Sequence, residues 1–515
     1  MRRLRWVIYP LLSFVAAGCY MTRPLASEYQ RPVSYAISAS EDTHLTRVVA
    51  PRAKAHPGQS GFYLITKGED ALTLRLALVE GAERSIDLQY YSFMNDVSGK
   101  LLFEAILRAA DRGVRVRILV DDLTLNKSDD TWSLLDKYPN IELRIFNPFA
   151  TREQGLLGGI GNMFAKPGHF TKRMHNKAFV VDNQLSIIGG RNLGDAYFDH
   201  NQDFNFRDVD ILAAGPITAQ VSKSFDSYWN GKEAYPITSV QNATPEPGAK
   251  TALREALRAH WKAAVEQKLF TQSPPIAGQL ESGALPLIWA KAELAADSPL
   301  KVDQAVADSK PGLQLEKLVA RADHEFIAVT PYFVPGDDGV AWLKELVDRG
   351  VKVRILTNSL ASTDVVAVHT GYRRYREEVL ADGAELYEMK PIPGKRPRSG
   401  RFASSSRASL HTKIYVMDRA NILIGTFNLD PRSVELNTEM AFVIHSPELA
   451  QQLVKMFEQA ITHPYSYQLL RRDSGIEWVT EEDGIEAHYY SEPKAGLWRN
   501  VKAGLFGLLP FEDQL

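Results

Sequence analysis

The segment from Arg173 to Asp182, RMHNKAFVVD, sets a histidine and a lysine two residues apart in a stretch otherwise fit for a buried strand. In an extended chain residues i and i+2 face the same way, so His175 and Lys177 share a face that Phe179 and Val181 continue into apolar packing. Burying such a pair is unfavourable unless an anion visits it. The segment returns as HTKIYVMD at 411–418, with His411, Lys413 and Asp418 in the places of His175, Lys177 and Asp182. Each copy is followed by a glycine-containing turn and an asparagine, IIGGRN ending at Asn192 and LIGTFN ending at Asn428. One H-x-K-x4-D match is weak, because a chance hit is expected at roughly the few-per-cent level. A lone histidine on an apolar strand is ordinarily a satisfied core residue, but two copies with the same sequel favour chemistry.

If the copies face each other about a pseudo-two-fold axis, His175, Lys177 and Asn192 converge with His411, Lys413 and Asn428. Two lysines and two amides around one point suit the non-bridging oxygens of a phosphodiester. Neutral imidazole is a competent nucleophile near pH 7, so one histidine can attack phosphorus while the other, protonated, donates to the departing alkoxide. The intermediate is a phosphohistidine, and an acceptor hydroxyl then enters with the second histidine as base. A histidine with this task needs its other ring nitrogen fixed, commonly by a carboxylate. Glu439, 28 residues after His411, is the candidate in the second copy. The first copy offers Asp203 at the same spacing, or Asp208 if a short insertion intervenes. Asp182 and Asp418 fall at strand ends, where they brace the lysine or adjacent backbone. No carboxylate or histidine cluster suggests a metal site, the two lysines supply the charge a metal would, and no cofactor is expected.

The elements that position these residues repeat as well. DRGVRVRIL at 111–119 returns as DRGVKVRIL at 348–356, an offset of 237, and the motif and its asparagine return at 236. Three landmarks agreeing to one residue make the chain a tandem duplication of a lobe of somewhat over 200 residues. In the first lobe RSIDLQYYS alternates like a strand, and SGKLLFEAILRAADRG places Ser98 to cap a helix with Leu102, Ala105, Ile106 and Ala109 on its apolar face. Gly113 stops that helix, and VRVRILVDD puts Val114, Val116, Ile118 and Val120 on one face of the next strand. Strand, helix, strand implies a right-handed parallel crossover and an α/β lobe whose sheet is flanked by helices. The second lobe repeats the order with HEFIAVTPYF, GVAWLKELVDRG and VKVRILTNS. Turn-rich residues 236–250 and an amphipathic helix candidate at 251–269 place the boundary between lobes. The organisation expected is a leader at 1–19, a linker at 20–60, a first lobe at 61–235, a linker and helix at 236–285, and a second lobe with a tail at 286–515. A glycine-rich apolar loop (151–170) precedes the first motif, and a basic loop containing Lys395, Arg396, Arg398, Arg401 and Arg407 precedes the second.

The chain has 515 residues, 45% hydrophobic and 24% charged, with a formal net charge of −2. This composition excludes disorder as the main state and gives no global attraction to nucleic acid, so any basic site is local. The basic loop is equally fit to bind an anionic headgroup or to be solvated. The single cysteine, Cys19, rules out an intrachain disulfide or a multi-thiolate metal site. It ends MRRLRWVIYPLLSFVAAGC, a positive n-region, a short apolar stretch and a small-residue cleavage site, which is similar to a bacterial lipoprotein signal whose cysteine receives the lipid anchor. Ala16 stands where such signals prefer Leu. On that reading the mature protein sits on a membrane of the bacterial envelope. Tyr20, not Asp, follows the cysteine, which makes the outer membrane facing the periplasm the default. At the other end Leu497, Trp498, Val501, Leu505, Phe506, Leu508 and Leu509 read slightly better as a final helix packed on the core than as a membrane-inserting one.

The duplicated motif with its GGxN and GTxN sequels resembles the phospholipase D superfamily over nearly the whole mature chain. DLQYYSFMNDVSGKLLFEAI, IFNPF, RMHNKAFVVD, GGRNLGDAYF and IGTFNLDPRSVELNTE are similar to bacterial cardiolipin synthases, closest to their C-type group. The resemblance implies two tandem lobes in a pseudo-two-fold monomer with the active site at their interface. It further implies that His175, Lys177, Asp182 and Asn192, with His411, Lys413, Asp418 and Asn428, carry the superfamily's roles, His175 as nucleophile and His411 as acid and base. The implied reaction is transfer of a phosphatidyl group from a phospholipid to phosphatidylglycerol without a metal. The implied partners are phospholipids, phosphatidylethanolamine among the candidate donors, and a membrane surface, with room for an accessory protein. Hydrolysis to phosphatidic acid is the alternative. A nuclease is disfavoured, since no basic stripe with aromatic platforms is evident, and an inactive lipid-binding scaffold is disfavoured by the two intact motifs. Cells grown with a radiolabelled fatty acid are expected to label the wild-type chain and not Cys19→Ser; an unlabelled wild type would remove the anchor.

Overall fold

A computed structural model describes residues 31–507 apart from 41, 126–129, 150–170, 242–245, 268–274, 304–308, 392–407 and 474. Cys19, the glycine-rich loop at 151–170 and the basic cluster Lys395 to Arg407 lie outside the described residues.

The first-lobe strands are β1 (Ser60–Ile65), β2 (Ser85–Tyr90), β3 (Arg115–Asp121), β4 (Ile141–Phe146), β5 (Ala178–Val181), β6 (Leu185–Gly189), β7 (Asn205–Arg207), β8 (Asp210–Ala214) and β9 (Ala234–Pro236). All but β7 pair in the order β9-β4-β3-β2-β5-β6-β8-β1, with β2, β3 and β4 parallel. The second-lobe strands are β10 (Ile288–Ala296), β11 (Glu325–Val329), β12 (Lys352–Asn358), β13 (Glu385–Met389), β14 (Ala408–Leu410), β15 (Ile414–Met417), β16 (Asn421–Gly425), β17 (Met440–His445), β18 (Ser466–Arg472), β19 (Gly475–Glu482) and β20 (Ile485–Tyr489). All but β14 pair in the order β10-β17-β16-β15-β11-β12-β13-β18-β19-β20. The sequence leads one to expect a mixed sheet per lobe; the two in fact join, because β1 also pairs antiparallel with β10, Phe62 opposite Ile288. The strand order outward from that seam repeats on either side, which is the pseudo-two-fold axis in backbone terms.

The crossover between β2 and β3 is helix α1 (Val97–Asp111), with Leu102, Ala105, Ile106 and Ala109 buried as its periodicity requires. Its cap is Asp96 and not Ser98. The chain is still extended at Asp96, whose carboxylate accepts from Gly99 N at 3.0 Å, whereas Ser98 is already helical and its N–H donates to Asp195 at 2.7 Å. The helix ends at Gly113, held at φ +93°. The equivalent crossover in the second lobe is α2 (Gly336–Asp348), between β11 and β12. Helix α3 (Val366–Ala381) then connects β12 to the parallel β13.

Asp182 and Asp418 brace backbone, and neither contacts its lysine among the described interactions. Each sits in the left-handed region, at φ +51° and +50°, in the turn that follows its histidine strand. The Asp182 carboxylate accepts from Glu83, Arg84 and Ser85 N at 3.0, 2.8 and 2.8 Å, and Asp418 does the same for Asp323, His324 and Glu325 N. Each aspartate thereby ties its histidine strand to the start of the neighbouring antiparallel strand, β2 or β11. Backbone donation holds Asp418 below the usual carboxylate range against the opposing effect of burial.

The final helix, α4 (Leu497–Gly507), reverses an expectation. It docks on α3 through Ala503, while Leu497, Trp498, Val501 and Leu505 face outward. These four apolar side chains do not join the core, because the contact face is supplied by a small residue and by Arg499; the Phe506 side chain, Leu508 and Leu509 lie outside the described residues.

Asp182→Ala leaves three N–H groups without their acceptor and is expected to cost about 2–4 kcal/mol. The check is a lower urea midpoint with an unaltered pH profile of kcat/KM; a normal midpoint with abolished turnover would instead make Asp182 catalytic.

Candidate active site

Two short parallel contacts between the lobes build the site. In one, β14 pairs with β7, with Leu410 opposite Arg207, and His411 N donates to Arg207 O at 2.8 Å. In the other, Met174 bridges Thr438, Thr438 N donates to Arg173 O at 3.0 Å, and His175 N donates to Thr438 O at 2.9 Å. Each histidine therefore comes next in register to the carboxylate of the opposite lobe. His175 Nδ1 lies 2.9 Å from both carboxylate oxygens of Glu439, and His411 Nδ1 lies 2.7 Å from Asp208 Oδ2.

This corrects the sequence reading, which gave each histidine a carboxylate from its own lobe. Glu439 serves His175 and Asp208 serves His411. Asp203, offered as an alternative, is exposed and contacts neither histidine among the described residues. The choice of Asp208 follows from an insertion. The register partners Gly189 and Asp210 are twenty-one positions apart, and Gly425 and Ala441 are sixteen. The five additional residues lie in the segment that includes β7, the strand that reaches across to β14.

The lobes hold their carboxylates differently. Gly190 of the first motif has no side chain because a Cβ there would lie 2.5 Å from both oxygens of Asp208. Its counterpart Thr426 instead donates its hydroxyl to Glu439, which also accepts from Ser433 Oγ at 3.2 Å. Gly425 is tighter still, since a Cβ would meet Met440 O at 2.1 Å.

The ordering of charge is set by burial. His175, Lys177, His411, Lys413, Asp208 and Glu439 are all buried. Burial, with the neighbouring lysines, holds both imidazoles well below their usual range, so in the unliganded site they are neutral. Burial brings Lys177 down to about 7 and Lys413 to about 8, and pushes Glu439 up to about 7. Lys177 Nζ donates to His175 O at 2.9 Å, and Lys413 donates to His411 O. With the carboxylates ionised, each Nδ1 carries the hydrogen and Nε2 presents its lone pair. The fields of both lysines act on both histidines, the electrostatic sign of convergence.

The two asparagines stand apart from the charged cluster in their hydrogen bonding. Asn192 accepts from Ser92 N at 3.2 Å and donates to the Tyr197 hydroxyl at 2.8 Å, while Asn428 Oδ1 is buried without a hydrogen-bond partner among the described residues. From the sequence, the aromatic QYYSF segment ends a lobe strand, where sheets of this type place ligand sites, with most of its side chains expected in the core. Tyr90 is indeed core, but the Tyr91 ring stands edge-on to His175 at 5.0 Å. Tyr197 and Phe206 flank His411 at 5.4 and 4.8 Å. The signal available was period-two alternation, which turns adjacent Tyr90 and Tyr91 to opposite sides. Arg432, in the segment after the second motif, adds a positive field at His175 and donates to Thr171 O at 2.6 Å.

A histidine and carboxylate cluster occurs elsewhere: His369, Glu388 and Glu492 bring potential ligand atoms within 4.8 Å of one another. Arg376 already bonds both carboxylates, at 3.2 and 2.7 Å, and burial holds His369 down at about 3. The cluster is thus an internal ion-pair group neutralised by its own arginine.

A family model described as "Cardiolipin synthase, PLD-like domain" matches residues 76–229 and 315–461, one match in each half of the duplication. The chain is 41% identical over 478 residues to cardiolipin synthase C of Escherichia coli strain K12, covering 91% of this chain and 99% of that one. It is 34% identical over 487 residues to an uncharacterized protein of Helicobacter pylori, covering 93% of this chain and 94% of that one. Among solved structures, the phosphatidylserine synthase of Haemophilus influenzae superposes with a TM-score of 0.57 at 13% identity over 92% of this chain and all of that one, a likeness of fold.

The free site is expected to lose competence on both sides of neutrality. Below about 7 Glu439 takes up a proton and ceases to hold His175, and above about 7 to 8 Lys177 and then Lys413 lose theirs and cease to hold an anion. A bell-shaped kcat/KM profile is expected with both limbs in that region. Glu439→Gln is expected to lower kcat by at least about a hundredfold. A profile flat from acid to alkaline pH would contradict the charge assignment.

Proposed function

The chain belongs to the phospholipase D-like cardiolipin synthase family, and from that premise we propose that it is a phosphatidyltransferase that makes cardiolipin through a phosphohistidine intermediate. The observation that carries the reading is the pair of crossed histidine–carboxylate contacts with two buried lysines between the lobes.

In the first half-reaction His175 Nε2 attacks the phosphorus of a donor phospholipid. The phosphorus–oxygen bond to the headgroup breaks, and His411, protonated on binding of the anionic substrate, gives its proton to the departing alkoxide. Lys177 and Lys413 neutralise the non-bridging oxygens as charge builds on them. In the second half a glycerol hydroxyl of phosphatidylglycerol attacks the phosphohistidine, His411 takes its proton, and the nitrogen–phosphorus bond breaks to release cardiolipin. The assignment of His175 as nucleophile is supported by Glu439, which presents both oxygens to its Nδ1 and is itself fixed by Thr426 and Ser433. Asn192 acts by ordering a wall of the site through Tyr197. Asp182 and Asp418 are positioning residues for the histidine strands.

The setting proposed for this chemistry is the bacterial envelope, with Cys19 lipidated and the lobes on a membrane surface, by default the outer membrane facing the periplasm. No helix among the described residues is long and apolar enough to cross a membrane. Phosphatidylglycerol is the acceptor, phosphatidylethanolamine the first donor to test, and an accessory protein is compatible with the same site.

Purified full-length protein given phosphatidylethanolamine and phosphatidylglycerol in mixed micelles is expected to yield cardiolipin and ethanolamine by mass spectrometry. His175→Ala and His411→Ala are each expected to abolish turnover. Phosphatidic acid as the sole product would establish the hydrolase instead, and substantial activity in either variant would overturn the composite site.

A further inference from the structure

The outward face of α4 is unusual for a helix of a folded chain. Leu497, Trp498, Val501 and Leu505 are 79%, 76%, 42% and 60% exposed. At roughly 100° per residue these four fall within about a quarter to a third of the helical circumference, and Arg499 and Ala503 lie on the opposite side. The packed face and the apolar face are therefore different faces. From Ala495 to Gly507 the charged residues are Arg499 and Lys502, with no acid among them.

The helix is tied to the rim of the active site. Arg499 Nη1 donates to Leu360 O and Thr363 O at 2.9 and 2.8 Å, clasping the loop that follows β12. At the base of that loop Asn358 brackets Leu410, accepting from its N–H at 2.9 Å and donating to its carbonyl at 3.0 Å, immediately before His411. In the same loop Asp364 accepts from the Tyr332 hydroxyl at 2.8 Å, and its charge acts on Lys413 and Tyr197. Val365 beside it is also exposed. A few side chains thus link the packed face of α4, through Arg499, to the segment that carries His411 and Lys413.

We propose that α4 is an interfacial docking helix that lies in the plane of an anionic phospholipid bilayer and holds the mouth of the site against it. The inference rests on the lipid-substrate reading above. At 11 residues the helix is too short to span but long enough to lie in the headgroup region. Its solvent-facing apolar arc would enter the acyl boundary, with Trp498 at the interface and Lys502 beside anionic headgroups. Charge favours this occupant over a second copy of the chain, because a self-complementary contact would set like-charged Lys502 residues near each other without acidic partners from the helix.

The test compares full-length wild type with the double variant Trp498→Ser, Leu505→Ser on two presentations of substrate. One is bilayer vesicles of phosphatidylglycerol and phosphatidylethanolamine; the other is dihexanoyl analogues dispersed as monomers. The variant is expected to lose at least about tenfold in rate on vesicles and to stay within about twofold of wild type on monomers. Equal loss on both, or none on vesicles, overturns docking. If the wild type turns over neither, the functional reading has failed, and docking is decided separately by quenching with phospholipids brominated along their acyl chains. There the emission difference between wild type and Trp498→Phe is expected to be quenched, and an unquenched Trp498 overturns the proposal. A dimer in sedimentation that the double variant dissolves would likewise overturn it, in favour of a second copy.

Discussion

The crossed pairing of each catalytic histidine with the other lobe's carboxylate is the constraint on which the rest of the architecture turns. A buried imidazole, lysine and carboxylate cluster is unfavourable in pieces and tolerable only as a satisfied network. His175 finds its carboxylate 264 residues away and His411 finds its own 203 residues away. An isolated lobe would leave its histidine Nδ1 without the carboxylate that fixes it, and so would lack the means to complete itself. The β1–β10 seam and the two short parallel contacts explain how the lobes are registered closely enough for the exchange. The seam fixes the lobes about the pseudo-axis, while the contacts at Met174 and β14 bring each histidine alongside its carboxylate.

Duplication has left two halves that are alike in backbone and different in detail. The longer Glu439 is held by Thr426 and Ser433, and the shorter Asp208 approaches the chain where Gly190 removes a side chain. The same position thus supplies a hydroxyl in one lobe and empty space in the other, matched to the length of the acid it faces. Such asymmetry is what a reaction requires when one histidine must attack and the other must shuttle a proton. Two identical imidazoles would have no structural reason to divide the work.

Much of this was legible in the sequence because it is local. The repeat offsets, the parallel crossovers, the buried face of α1 and the bracing aspartates follow from periodicity, turn chemistry and strand ends. The carboxylates were legible by spacing, including the insertion that selects Asp208, but not by lobe. Which acid meets which histidine is set by a ladder between segments more than two hundred residues apart, and spacing along the chain carries no sign of it. The apolar stripe of α4 was legible as a stripe. Its direction was not, because an amphipathic pattern says that a helix has two faces and leaves their neighbours to tertiary contacts. The cap at Asp96 and the ion-pair group around Arg376 were missed for related reasons, one an extended residue just before the helix and the other a meeting of four separated side chains.

The electrostatics of the site tie its activation to the arrival of substrate. In the unliganded cluster burial discharges every group it can: the lysines are drawn toward neutrality, the imidazoles are neutral, and Glu439 is raised to about 7. A phosphodiester monoanion set between the lysines adds the missing negative charge and raises the proton affinity of each cation it faces. The lysines are then fully protonated at neutral pH, and one imidazole can hold a proton while the other, anchored through Nδ1, keeps its lone pair toward phosphorus. Because these titrations are coupled, the proton belongs to the group as a whole until the substrate's leaving oxygen breaks the symmetry. The costly charged state is therefore reached with the anion bound, which is how a site built from buried lysines and histidines can be both stable at rest and reactive when filled.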